Sequence, residues 1–145
     1  MKKVLVSGAN GFIGKTLVKT LLSKGYHVTA LDIRFDEDLV NDSSVDCINV
    51  SNREIETLKS EIPSGGYDCF FHLAWSGTSG PLRADYNVQL NNVKLTCDYV
   101  KFCKELDCKR MVYASSINEM ETYEYLQSDG VEPSGGYIYG TGKLA

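Results

Sequence analysis

The chain has 145 residues, one domain's worth, of which 43% are hydrophobic and 23% charged, the composition of an ordinary globular protein. Its net charge of -4 leaves no basic footprint for nucleic acid and no polybasic surface for anionic lipid. Only Val4 to Val6 are apolar between Lys3 and Ser7, and no apolar run approaches the ~20 residues that span a bilayer, so neither a secretory signal nor a membrane anchor is read and a cytoplasmic protein is expected.

In chain order, Lys3 to Ser7 reads as a short apolar strand. Gly11 to Lys24 has helical spacing, with Ile13, Leu17, Leu21 and Leu22 on one side and Gly25 as its terminator. His27 to Asp32 is a second strand, and Arg34 to Ser44 reads as a polar, acidic loop. Val45 to Val50 is a weak third strand, Asn52 caps a short helix through Leu58, and Pro63 to Gly66 is a turn. Tyr67 to Ala74 is a strand apolar enough to be buried on both faces. A small-residue loop, Trp75 to Pro81, leads into a long helix from Leu82 to Leu106. Arg110 to Ser115 is a fifth strand, Ile117 to Gly136 a long polar stretch, and Tyr137 to Ala145 helical. Strands alternating with helices predict an α/β fold, a doubly wound, Rossmann-like parallel sheet with helices on both faces, as one domain over residues 1–145.

The five cysteines, Cys47, Cys69, Cys97, Cys103 and Cys108, are odd in number and lack metal-ligand or C-x-x-C spacing; they read as small buried thiols. His27 and His72 fall at strand positions and read as structural, so no metal is assigned.

Gly8, Gly11 and Gly14 lie at intervals of three between a strand and a helix. That context suits a phosphate cradle: one glycine permits the tight turn, one lets the backbone approach a pyrophosphate, and one lets the helix pack on the strand. The N–H groups at the helix start, around Phe12 and Ile13, then point at the phosphates. Asp32 ends the second strand, where a carboxylate accepts from the adenosine ribose hydroxyls and repels a 2′-phosphate, which favours NAD over NADP. Arg34 beside it is the residue type that would accommodate such a phosphate, so both dinucleotides stay open.

With SGANGFIG, HLAW, NNVKLT, MVYASS and YGTGK in that order, the whole chain resembles the extended short-chain dehydrogenase/reductases, the NAD-dependent epimerases and dehydratases of nucleotide sugars. The resemblance implies that Gly8, Gly11 and Gly14 are phosphate glycines, Asp32 the ribose acid, and Asn49-Val50 the adenine contact, with Asn49 in place of the usual Asp. It implies that Leu73 and Ala74 lie along the cofactor, that Trp75 stands where a small residue is common, and that Asn92 is structural. Ser116, Tyr139 and Lys143 fall on the family's catalytic residues. Tyr139 would exchange a proton with a sugar hydroxyl while hydride moves to or from the cofactor, Lys143 would favour the phenolate and hold the nicotinamide ribose, and Ser116 would hydrogen-bond the reacting oxygen. Family members extend well beyond this length, so the chain corresponds to their cofactor-binding N-terminal half, without the substrate domain. The family commonly dimerises through the long helix and the Tyr-Lys helix, which implies a homodimer. Two alternatives remain, a non-catalytic dinucleotide sensor or interaction protein and an NADPH-dependent sugar-nucleotide reductase; Tyr139→Phe separates the sensor, which would survive it, from a redox enzyme.

Overall fold

The computed structural model describes residues 2–51, 53–63, 65–130, 132 and 134–145. The proposed cap at Asn52, and Ser64 within the Pro63 to Gly66 turn, lie outside them. Backbone contacts divide the chain into two compact units, Met1–Ala74 with Asp98–Ala114, and Trp75–Cys97 with Ser115–Ala145.

The first unit holds the whole sheet. Its strands are β1 (Lys3–Ser7), β2 (His27–Asp32), β3 (Val45–Asn49), β4 (Cys69–His72) and β5 (Met111–Tyr113), all parallel, in the order β3-β2-β1-β4-β5. Strand residues alternate between faces, and each face finds its own cover. Val4 and Val6 share a core with Val18 and Leu21 of α1 (Phe12–Ser23), which Phe71 and Leu73 extend. On the other face, Phe70 and His72 meet Tyr99 of α4 (Tyr86–Glu105), with ring centroids 5.0 Å away in both cases. The expected doubly wound, Rossmann-like sheet is therefore present.

Polar groups inside this unit are paired, as burial requires. The His72 ring is hydrogen-bonded through Nδ1 to Ser7 Oγ at 2.6 Å, and Thr29 shares a hydrogen bond with the Tyr67 hydroxyl. His27 pairs with Asp46, so both histidines take structural roles.

The expected loop at Arg34 to Ser44 contains a single helical turn, α2 (Glu37–Val40), that buries Leu39. The short helix after β3 is α3 (Ile55–Leu58). All five cysteines are free thiols, but only Cys103 is buried as expected; Cys47, Cys69 and Cys108 are half-buried and Cys97 is exposed. No helix among the described residues is long and apolar enough to cross a membrane.

The second unit is helical. A 3-10 turn (Pro81–Ala84) leads to Asp85, whose Oδ1 accepts from the Asn87 and Val88 N–H groups and so starts α4 four residues later than the apolar pattern suggested. The stretch from Ile117, read only as long and polar, forms α5 (Ile117–Gln127), capped by Ser116, whose Oγ accepts from the Asn118 N–H. Ile117, Met120, Tyr123 and Leu126 of α5 are exposed while Thr122 is buried, so its apolar stripe does not mark its buried side. The last helix, α6 (Gly136–Leu144), packs on α5 where Gly140 meets Thr122.

Candidate active site

In the first unit the glycine turn is dictated by space. Gly8 has φ +70°, and a Cβ on it would lie 2.8 Å from the Ala74 backbone nitrogen. A Cβ on Gly14 would lie 2.0 Å from the Gly8 carbonyl oxygen, so α1 is seated on the turn by the missing side chain. Gly11 caps α1 in an extended conformation, its N–H donating to the Gly8 carbonyl. The first turn of α1 is Phe12-Ile13-Gly14-Lys15, with no acidic side chain and, among the described residues, no side-chain cap. The first N–H groups of a helix have no intrahelical acceptor, and here neither a capping oxygen nor a carboxylate competes for them. Phe12, 96% exposed, and Ile13 flank this open end.

Asp32 is tied to the turn: its Oδ2 accepts from the Asn10 N–H at 2.8 Å and its Oδ1 from the Ile33 N–H at 2.7 Å. Each oxygen keeps a further acceptor site, since a carboxylate offers about four. Asn49 lies in register with Asp32. Its Nδ2 donates to the Ile33 carbonyl and its Oδ1 accepts from the Ser51 N–H, while the Val50 N–H donates to the Asp32 carbonyl. The amide of Asn49 therefore shapes its own loop first. Leu73, whose N–H donates to the Ser7 carbonyl, and Ala74 continue β4 past the turn. The structure thus gathers Gly8, Gly11, Gly14, Asp32, Leu73 and Ala74 around one turn. Sequence reasoning missed Asn10, whose backbone fixes the orientation of Asp32.

In the second unit, Tyr139 and Lys143 stand one turn apart on α6, 7% and 8% exposed. The Arg83 guanidinium lies over the Tyr139 ring, 4.4 Å from its centroid, and also donates to Asn118 Oδ1 and the Thr78 carbonyl. Ser116 heads α5, the helix against which α6 packs, with its hydroxyl directed to Asn118. Asn92 holds the loop after β4: its Oδ1 accepts from the Ser76 N–H and its Nδ2 donates to the Ser76 carbonyl. Gln89, buried and equally engaged, was missed. The signal was present, since Gln89, Asn92 and Thr96 continue the helical spacing of the buried Tyr99 and Phe102. Polar residues in the buried phase of a helix mark a tether.

Burial pulls Lys143 down to about 8, opposed by the nearby charge of Glu119. The folded value lies below the unfolded one, so the folded state binds fewer protons between about 8 and 10.5. The cost of enclosing the ammonium is present in full below about pH 8 and fades as pH rises, so this group makes stability increase with pH across that window. At ~1.4 kcal/mol per unit the full cost is about 3 kcal/mol. Lys143→Met is therefore expected to raise stability at pH 7 by about 1 kcal/mol, after loss of a cation–π contact worth ~0.5–2 kcal/mol. It is also expected to flatten the difference between pH 8 and 10. Urea melts of both proteins across that range check this; a wild-type protein that loses stability relative to the variant as pH rises contradicts it. Among the described residues, no group of His, Cys, Asp and Glu is arranged to hold a metal ion.

A parallel sheet in this order, with a glycine turn after β1 and an acid ending β2, defines the Rossmann-like dinucleotide-binding class. Within that class, the chain belongs to the NAD dependent epimerase/dehydratase family, whose pattern matches residues 4–142. It is similar to short-chain dehydrogenase/reductase family 42E member 1 of Xenopus laevis, 30% identical over 117 residues, 79% of this chain and 29% of the relative. It is also similar to dTDP-6-deoxy-L-talose 4-dehydrogenase (NAD(+)) of Aggregatibacter actinomycetemcomitans, 30% identical over 124 residues, 81% of this chain and 42% of the relative. Among solved structures, MoeE5 in complex with UDP-glucose and NAD is 30% identical, with a TM-score of 0.69 over 98% of this chain and 46% of that one. The chain spans less than half the length of each of these proteins.

Proposed function

We propose that this chain carries the cofactor-binding and proton-transfer residues of an NAD-dependent enzyme that oxidises and re-reduces, or dehydrates, the sugar of a nucleotide sugar. The observation that supports it most is the glycine turn: Gly8 and Gly14 stand where a Cβ would strike backbone, which brings the start of α1, with no competing acid in its first turn, up against the end of β1. These residues fit a dinucleotide. In this reading the N–H groups around Phe12, Ile13 and Gly14 bind the pyrophosphate, with Gly8 and Gly11 shaping the turn that presents them, Asp32 binds the adenosine ribose, and Asn49 and Val50 the adenine, while Leu73 and Ala74 line the cofactor. NAD, when bound, supplies a reversible hydride acceptor. Tyr139 takes or returns the proton at a sugar hydroxyl oxygen, Ser116 hydrogen-bonds that oxygen, and Lys143 holds the nicotinamide ribose and favours the phenolate. Asp32 favours NAD over NADP. A homodimer through α4 and α6 and a cytoplasmic location complete the proposal, on family resemblance.

The 145 residues alone, which span less than half of each relative above, are expected to bind NAD and to turn over little or no UDP- or dTDP-sugar. Joined to a substrate domain they should support conversion of the sugar nucleotide, followed by chromatography because the nicotinamide is returned to its oxidised form, and Tyr139→Phe should lower that conversion by at least ~100-fold, the lower range for a positioned acid-base group. Tyr139→Phe with undiminished turnover would remove the phenol from the mechanism.

A further inference from the structure

Trp75 is the chain's single tryptophan and stands where the resemblance implies a small residue. Its indole N–H donates to Gln89 Oε1 at 2.9 Å. Gln89 is 2% exposed, and its Nε2 lies 3.3, 3.2 and 3.5 Å from the carbonyl oxygens of Gly77, Leu82 and Arg83. Turning this amide over would set Oε1 against those carbonyls, so its orientation is fixed, and with it the acceptor that holds the indole. Over the face of the indole stands the Lys143 Nζ, 3.6 Å from the ring centroid, and the Tyr139 ring meets the indole edge-on at 6.3 Å. An indole face attracts a cation, most strongly where water is excluded, and Lys143 is nearly buried. Charged or titratable groups at this point include, among the described residues, Tyr139 on α6, Arg83 of the 3-10 turn above the Tyr139 ring, and Glu119 on α5.

We propose that Trp75 is a positioning residue: its indole face, locked in plane by Gln89, is the seat that holds the Lys143 ammonium beside Tyr139. A lysine on its four-carbon stem has many rotamers open to it, and the seat confines it before any ligand arrives. The catalytic consequence of the seat rests on the function proposed above, because misplacing a reacting group by ~1 Å costs ~100-fold in rate. The seat itself does not depend on that function.

Trp75 also reports on the seat. Its emission, excited where the neutral tyrosine phenol does not absorb, is followed from pH 6 to 9.5, below the ~10 at which free tyrosine ionises, without cofactor or substrate, so the outcome is independent of whether the protein binds NAD or turns over. A step near pH 8 is expected, where burial places Lys143. It should persist in Tyr139→Phe and vanish in Lys143→Met. A step that survives Lys143→Met, or no step in the unsubstituted protein, overturns the proposal. Should Lys143→Met fail to fold, proton NMR of the unsubstituted protein decides. Ring current from the indole should move the Lys143 ε-methylene protons upfield, and an unshifted resonance overturns the seat.

Discussion

Gly14→Ala is expected to cost about 3 kcal/mol of stability and to lower the melting midpoint by roughly 10 °C, at the upper end of the usual penalty for overpacking. The new Cβ would sit 2.0 Å from the Gly8 carbonyl oxygen and 2.8 Å from both the carbonyl carbon and oxygen of Ala9. All three are backbone atoms, so no side chain can swing away, and α1 must lift off β1 as a body. That movement separates Val18 and Leu21 from Val4 and Val6. It also displaces the helix start proposed to meet the pyrophosphate, so NAD affinity should fall by more than tenfold under conditions where the variant stays folded. Thermal denaturation and calorimetry read the two effects separately. A variant with unchanged melting and unchanged affinity would contradict the packing role assigned to Gly14.

Gly140→Ala is expected to be as severe in the second unit. Its Cβ would meet Thr122 Oγ1 at 1.9 Å, the Asn118 carbonyl oxygen at 2.5 Å and Thr122 Cβ at 2.9 Å. Part of this clash is with a side chain, and that makes a sharper experiment possible. Thr122 Oγ1 is buried with no hydrogen-bond partner among the described residues, so Thr122→Ala removes an oxygen that contributes no hydrogen bond. Thr122→Ala alone should cost less than about 1 kcal/mol, while Gly140→Ala alone should cost about 3 kcal/mol. The double variant should recover about 1 kcal/mol through relief of the Oγ1 contact, leaving the Asn118 contact in place. Strict additivity of the two substitutions in urea denaturation would show that α5 and α6 do not meet at this pair. Because α6 carries Tyr139 and Lys143, the single variant should also abolish the emission step of Trp75.

The parts of this fold that were legible are those in which local pattern and tertiary environment agree. β1 and β2 run over Lys3–Ser7 and His27–Asp32 as read, because short apolar runs bounded by glycine and polar residues are what an inner parallel strand requires. The glycine spacing was legible because backbone contacts at 2.0 and 2.8 Å leave no room for another residue type. Helix α5 was not legible: Glu119, Glu121 and Glu124 make it read as polar, and its stripe of Ile117, Met120, Tyr123 and Leu126 is exposed. Only Ser116 as a cap announced it. The indole seat was hidden for a different reason. Trp75, Gln89 and Lys143 come from a loop and two helices far apart in sequence, and no periodicity links them. Sequence reasoning placed Tyr139 and Lys143 on one helical face but had no means of seeing what that face meets.

The central claim, that this chain binds NAD through the turn after β1, is tested most directly by calorimetric titration of the protein with NAD. Saturable binding at or below millimolar NAD, weaker binding of NADP, and loss of NAD binding in folded Gly14→Ala are the predicted results. No heat of binding at millimolar NAD, from a protein shown by circular dichroism to be folded, would contradict it.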